Sequence, residues 1–268
     1  MRRRPKRRVI TSTITTMAIT DPANLQPLGP LIDTDPAREP KSVVLQGRCG
    51  RVEKLDPARH SADLWAAFAG HDEIWTYLPY GPFADKNAFA LWLKARAGIS
   101  DPFSYVVVDA AERACGIIPL MAVRPEMRVI EVGNIVLGPA LQHTTLATEA
   151  QYLLARYVFE TLGYRRYEWK CDARNAASRR AALRLGFKFE GLFAQHMIVK
   201  GRSRDTAWYA MLDTEWPAHK LAFERFLKPS NFDPAGRQIT LSRMRHGRNR
   251  PTPRQQIKTT SNSPHSGR

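Results

Sequence analysis

Arg128-Val-Ile-Glu-Val-Gly-Asn-Ile-Val-Leu-Gly138 opens the stretch that decides the fold, and it runs on to Gly191. Apolar residues alternate along it, so 128–138 reads as a strand. A turn at Gly138-Pro139-Ala140 leads into Gln142-His-Thr-Thr-Leu-Ala-Thr148, and a helical run follows to Leu162. Its apolar positions Ala150, Leu153, Leu154, Tyr157, Val158 and Thr161 keep helical spacing, and Gly163 stops it. Tyr167-Glu-Trp-Lys-Cys171 is a second strand. Asn175 to Leu185 is a second helix with Ala177, Ala181 and Leu185 as its buried stripe, and Gly186 ends it before Phe189-Glu190-Gly191. Strand, helix, strand, helix, strand is a βαβ crossover with an added helix. Such a unit holds phosphate-bearing ligands at the N-terminus of its first helix.

Working outward, Gly50 to Leu55 reads as a first strand and Ala62 to Gly70 as a short helix capped near Ser61 or Asp63. Trp75-Thr-Tyr-Leu-Pro-Tyr-Gly-Pro-Phe83 is a dense aromatic loop, which by its residues alone is expected to cap the core. A helix from about Asp85 to Arg96 buries Phe89, Leu93 and Trp92. Strands at 103–109 and 115–123 form a hairpin around Ala110-Ala-Glu-Arg113, and Arg124-Pro125-Glu126 turns the chain into the deciding strand. Downstream, 193–200 and 206–212 make a last hairpin. Trp216-Pro217 begins a final helix expected to pack through Leu221 and Phe226. The expected class is therefore α/β, more fully an α+β mixed sheet: an antiparallel meander joined to the parallel crossover and flanked by helices.

The chain has 268 residues, 41 Lys and Arg against 25 Asp and Glu, and a formal net charge of +16. The excess sits at the ends. Residues 1–20 carry six basic residues and 235–268 carry eight, with no acid in either segment, which leaves the middle nearly neutral. Residues 1–40 are expected to be a disordered basic and proline-rich segment, 41–233 one folded domain, and 234–268 a disordered basic tail. The first residues have a composition that permits a transit peptide, although a lead-in before Met17 is the simpler expectation. Cys49, Cys115 and Cys171 are widely spaced, with no Cys-x-x-Cys pair. No zinc site or disulfide framework is expected, and a reducing, cytoplasmic setting is. No apolar run reaches the length of a membrane helix, so no membrane partner is expected.

Several pieces of the deciding stretch fall in an order that resembles one family. They are Glu131-x-Gly133, Ala147-Thr148-Glu149-Ala150, Cys171-x-x-x-Asn175-x-x-Ser178 and Ala182-Leu-x-x-Gly186-Phe-x-x-Glu190-Gly191. The order resembles the GNAT superfamily of acetyltransferases, and with Gly201-x-x-x-Asp205-x-x-x-Tyr209 it is similar to the RimJ/RimL-like, ribosomal-protein N-acetyltransferase branch. The resemblance covers about Gly50 to Trp216. It implies the GNAT acyl-CoA N-acyltransferase fold, acetyl-CoA as co-substrate without a metal, and transfer of acetyl to a primary amine of a protein N-terminus or small molecule. The pyrophosphate would lie on the backbone of Gln142, His143, Thr144, Thr145, Leu146, Ala147 and Thr148, with hydroxyls of Thr144, Thr145 and Thr148 as added donors. The pantetheine arm would pair with Ile135, Val136 and Leu137. The resemblance gives Asn175 a cofactor contact, Ser178 the proton for the departing thiolate, and Glu131 the role of base.

One position departs from the family pattern. Thr145 stands where the loop ordinarily has glycine, and because threonine holds helical dihedrals, cofactor binding is expected to survive. Without the resemblance, Asn175 reads as a helix cap, Ser178 as ordinary helix chemistry, Glu131 as a strand-face carboxylate, and His143 and His196 as surface histidines. Two other readings stay open: a nucleic-acid or ribosome-associated protein working through its basic ends, and a CoA-binding relic that does not turn over. A monomer or a homodimer is expected.

Overall fold

The computed structural model describes residues 20–21, 24–232, 240, 241 and 244, with no side-chain description before residue 27. Two units divide the chain at Asp35 and Pro36. In the first, β1 (Thr20–Asp21) and β2 (Asn24–Pro27) form a short antiparallel ribbon. Of the N-terminal segment expected to be disordered, residues 1–19, 22 and 23 lie outside the described residues, as does most of the expected tail from 234.

The second unit contains everything else. Its strands are β3 (Val44–Gln46), β4 (Gly50–Lys54), β5 (Tyr105–Asp109), β6 (Ala114–Ile117), β7 (Leu120–Arg124), β8 (Val129–Val132), β9 (Val136–Leu137), β10 (Arg166–Asp172), β11 (Lys188–Val199) and β12 (Arg202–Leu212). Its helices are α1 (Pro57–Phe68), α2 (Lys86–Ala97), α3 (Thr145–Arg156), α4 (Ala176–Leu185) and α5 (Trp216–Leu227). They form two five-stranded sheets, ordered β3-β4-β5-β6-β9 and β11-β12-β10-β8-β7. Among the described strands, only β8 and β10 pair in parallel.

The deciding strand is thus not one strand but two. Residues 128–138 were expected to run straight. Instead the chain leaves the second sheet after Val132 and enters the first at Val136. Asn134 makes the break with φ of 55°, a left-handed conformation that asparagine tolerates better than most residues. Gly133 beside it has no room for a side chain, since a Cβ would stand 2.6 Å from Met121 Sδ and 2.7 Å from Glu131 Oε1. Period-two patterning continues through this break and so conceals it.

The crossover helix α3 begins at Thr145 and continues past Arg156 as one wider π turn, Tyr157–Leu162, before Gly163 closes it at φ 80°. Helix α1 begins earlier than expected. Asp56 accepts a hydrogen bond from Ala58 N at 3.0 Å and Pro57 fills the first turn, where a missing N–H costs nothing. Strand β3 was not foreseen; three residues in a proline-rich approach give too short a pattern. In α5, Phe226 is buried as expected, whereas Leu221 is exposed.

Two cores divide the work. One lies among α1, α2 and the first sheet, built on Leu64, Phe68, Phe89, Leu93, Val106 and Val136. The other joins both sheets to α3 and α5 through Leu154, Val158, Tyr167, Tyr209 and Phe223. Leu241, which falls within the expected C-terminal tail, is 1% exposed in that second core, and Met244 packs against it. At the other boundary, Ala37 N donates to Pro125 O at 3.0 Å and Arg38 N to Leu162 O at 2.8 Å, so the chain is fastened before residue 41. Replacing Leu241 with alanine is expected to destabilise the protein by about 2–5 kcal/mol through lost burial and an unfilled cavity. Thermal or denaturant unfolding checks this, and an unchanged midpoint would show that Leu241 contributes nothing to the core.

Candidate functional site

The break at Gly133-Asn134 opens a wedge between the sheets. Strand β9 pairs with β6 on one side and nothing on the other among the described residues. Strand β10 pairs with β8 only over Arg166–Glu168. From Trp169 onward its edge on that side is unpaired among the described residues, as is the free edge of Val136–Leu137. Unpaired strand edges carry rows of N–H and C=O groups able to bind an extended chain. Ile135, Val136 and Leu137, expected to meet a pantetheine arm, lie on this edge.

Directly after β9 comes the turn into α3. Gln142 N donates to Gly138 O, Thr144 N to Leu141 O at 3.3 Å, Ala147 N to Thr144 Oγ1 at 3.1 Å, and Thr148 N to Thr144 O. The N–H groups of His143, Thr145 and Leu146 have no acceptor among the described residues. His143 is left-handed at φ 62°, the kind of backbone that gathers successive N–H groups into an anion nest. Three free donors at the positive end of a twelve-residue helix fit a phosphate group.

The three hydroxyls expected to help are not equivalent. Thr144 Oγ1 donates to Leu141 O at 2.7 Å and caps the helix, and Thr148 Oγ1 donates to Thr144 O and accepts from Arg184 Nη1 at 3.0 Å. Only Thr145 Oγ1 is uncommitted among the described residues. The Gln142 side chain donates to Leu137 O at 3.0 Å and braces the turn instead of projecting from it. Arg184 was missed. It arrives from α4, and burial lowers its pKa, so a partly desolvated cation stands next to the first turn of α3.

On the far side of the wedge, Asn175 Oδ1 accepts from Ser178 N at 3.0 Å and so caps α4, as its sequence position suggests. The Ser178 hydroxyl accepts from Trp169 Nε1 at 2.9 Å. Burial pushes the Cys171 thiol up, with the Ser178 contact opposing it. Cys49 is also raised and Cys115 is pushed up to about 12, both mainly by burial. In all three, burial disfavours the thiolate.

Glu131 lies on the opposite face of the sheet from Ser178. Glu131 pairs with Glu168 in register, and side chains alternate along β10. Glu168 and Lys170 therefore share Glu131's face, while Trp169 and Cys171 share that of Ser178. Lys170 Nζ donates to Glu131 Oε2 at 2.7 Å and to Glu168 Oε2 at 2.8 Å, and stands 4.1 Å from the Trp208 ring centre. Burial raises the pKa of Glu131, with Lys170 pulling against it. Burial also works against the charge of Glu168, but Arg166 and Lys170 hold its carboxyl below the usual range. The lysine was not foreseen as part of the site, although its i, i+2 spacing from Glu168 on a strand was the signal available.

The aromatic loop packs on its first tryptophan. Trp75 is 3% exposed and meets Phe68, Phe83 and Trp92 edge to face. The loop is also tied to the wedge, since Tyr77 donates to Arg174 O at 3.3 Å and Lys200 Nζ to Trp75 O at 2.9 Å. His196, on the edge strand β11, is bonded to Thr206 Oγ1 at 3.0 Å and is not among the groups around Glu131. No group of three or more His, Cys, Asp or Glu among the described residues has metal-site geometry, and no helix among them is long and apolar enough to cross a membrane.

Residues 52–188 match the family described as Acetyltransferase (GNAT) domain. The chain is 27% identical over 150 residues to Uncharacterized N-acetyltransferase YnaD of Bacillus subtilis (strain 168), covering 56% of this chain and 86% of that protein. Among solved structures, a GCN5-related N-acetyltransferase from Brucella melitensis superposes with a TM-score of 0.77 at 44% identity, covering 79% of this chain and 98% of its own. A probable acetyltransferase (GNAT family) from Chromobacterium violaceum ATCC 12472 gives 0.68 at 44% identity, covering 72% and 98%. A strand that changes sheet just before a helix with free N–H groups is what the matched segment contributes, and the chain belongs to the GNAT acetyltransferase family.

Proposed function

We propose that this N-acetyltransferase moves an acetyl group directly from acetyl-CoA to a primary amine, with Glu131 and Ser178 serving the two proton transfers from opposite sides of the wedge. The observation that carries the reading is the free edge of β9 running into the unclaimed N–H groups of His143, Thr145 and Leu146. Those groups would hold the pyrophosphate, and Ile135, Val136 and Leu137 the extended arm. Bound acetyl-CoA supplies an activated acyl group and a sulfur leaving group.

Glu131 accepts the proton that an acceptor ammonium must lose before its nitrogen can attack. Ser178 keeps a hydroxyl proton on the other face, with its oxygen already fixed by the Trp169 indole. Asn175 holds the turn that carries Ser178. The acceptor is a protein N-terminus or a small amine in a cytoplasmic setting, and the motif from Gly201 to Tyr209 favours the RimJ/RimL-like branch. Nucleic acid enters this reading only as a partner of the basic ends.

The three raised thiols leave no candidate for an acyl-enzyme. Protein mixed with radiolabelled acetyl-CoA and quenched in denaturant is expected to carry no covalent label at any time point. Label that survives denaturation on one residue would overturn direct attack.

A further inference from the structure

We propose that the Lys170 ammonium, held between Glu131 and Glu168 over the face of Trp208, keeps the Glu131 carboxylate ionised and aimed, and so sets the pH above which acetyl transfer runs. This deepens the proposed function and rests on Glu131 as the base. The argument begins with the cost of burying Glu131, which is 6% exposed. An unpaired buried carboxylate shifts its pKa upward and becomes neutral, and a neutral acid cannot remove a proton.

The charged groups facing Glu131 come from two strands. Lys170 and Glu168 lie on β10, and Arg204 on β12 acts at longer range. Glu168 repels Glu131. It is itself held by Arg166 Nε at 2.6 Å, by Arg124 Nη2 at 3.2 Å and by Lys170. Glu131 has Lys170 as its only ion-pair partner among the described residues. The two carboxylates are therefore unequal: three cations serve Glu168 and one, shared, serves Glu131. Oε1 of Glu131 has no hydrogen bond among the described residues, so the paired carboxylate keeps an oxygen for an incoming proton. The cation–π contact with Trp208 and the two short contacts fix Lys170 from three directions. Such an arrangement positions a charge and does not merely pack a side chain.

The test is the titration of Glu131 by carbon NMR of its side-chain carboxyl, assigned by comparison with Glu131→Gln, in the full chain with and without CoA. Lys170→Met is expected to raise the midpoint by about one pH unit or more, and Lys170→Arg to hold it near wild type. Glu168→Gln is expected to lower it, because the repelling charge is gone and Lys170 then serves Glu131 alone. This last variant keeps every cation and decides the matter if Lys170→Met does not fold. The acid limb of acetyl transfer to a mixture of amino-acid amides should move with each midpoint. A Glu131 midpoint indifferent to Lys170→Met or Glu168→Gln would overturn the proposal. A midpoint that shifts while the acid limb stays in place would instead fault Glu131 as the base.

Discussion

Thr145→Glu is expected to abolish measurable CoA binding while leaving the protein folded. Thr145 is the first residue of α3, partly exposed, and its N–H is one of three without an acceptor among the described residues. A glutamate there places negative charge where the pyrophosphate would sit. Juxtaposed like charges cost several kcal/mol, so affinity should fall by about 100-fold or more. The same carboxylate suits a helix N-terminus and contributes roughly 0.3–1 kcal/mol, so the melting temperature should hold or rise slightly. Calorimetric titration with CoA beside a thermal melt separates the two effects. Retained affinity would mean that the pyrophosphate lies elsewhere.

Ala147 is the less suitable position for such a test. It is buried in the larger core and its N–H already serves the Thr144 cap. A carboxylate there would be placed among apolar side chains, and lost binding would report lost structure.

Ser178→Ala is expected to lower turnover about 10²- to 10⁴-fold with CoA affinity changed only a few-fold, since the thiolate charge it answers arises only in the transition state. The substitution also leaves the Trp169 indole without its acceptor, at about 1–3 kcal/mol of stability. Folded protein must therefore be verified at the assay temperature. Glu131→Gln should lower turnover to a similar degree near neutral pH and recover in part as pH rises. The sign follows from the acceptor: at higher pH more of the amine is already deprotonated and needs no base. Full activity in both variants would mean that the enzyme works by positioning alone.

The family and the order of elements were legible because they rest on local signals. Glycine at 163 and 186 stops two helices, Asn175 caps one, and apolar residues recur at 3.6 spacing along α3. The free donors of the α3 turn followed from its place after a strand. What could not be read was the change of sheet at Asn134, because alternation of apolar residues looks the same whichever sheet each half joins. The Lys170 bridge needed the register of β8 against β10, which no local pattern encodes. Arg184 needed the packing of α4 against α3. The burial of Leu241 was hidden by its basic surroundings, where one leucine among arginines reads as solvated chain.

The central claim is that this wedge passes an acetyl group to an amine. Incubating the pure protein with trideuterated acetyl-CoA and a desalted cell extract, then searching peptides and small molecules by mass spectrometry, tests it most directly. The expected result is a deuterated N-acetyl group on a limited set of primary amines, absent from a parallel incubation with Thr145→Glu protein. Labelled amines at equal levels in both incubations, or none in either while wild-type protein binds CoA, would contradict it.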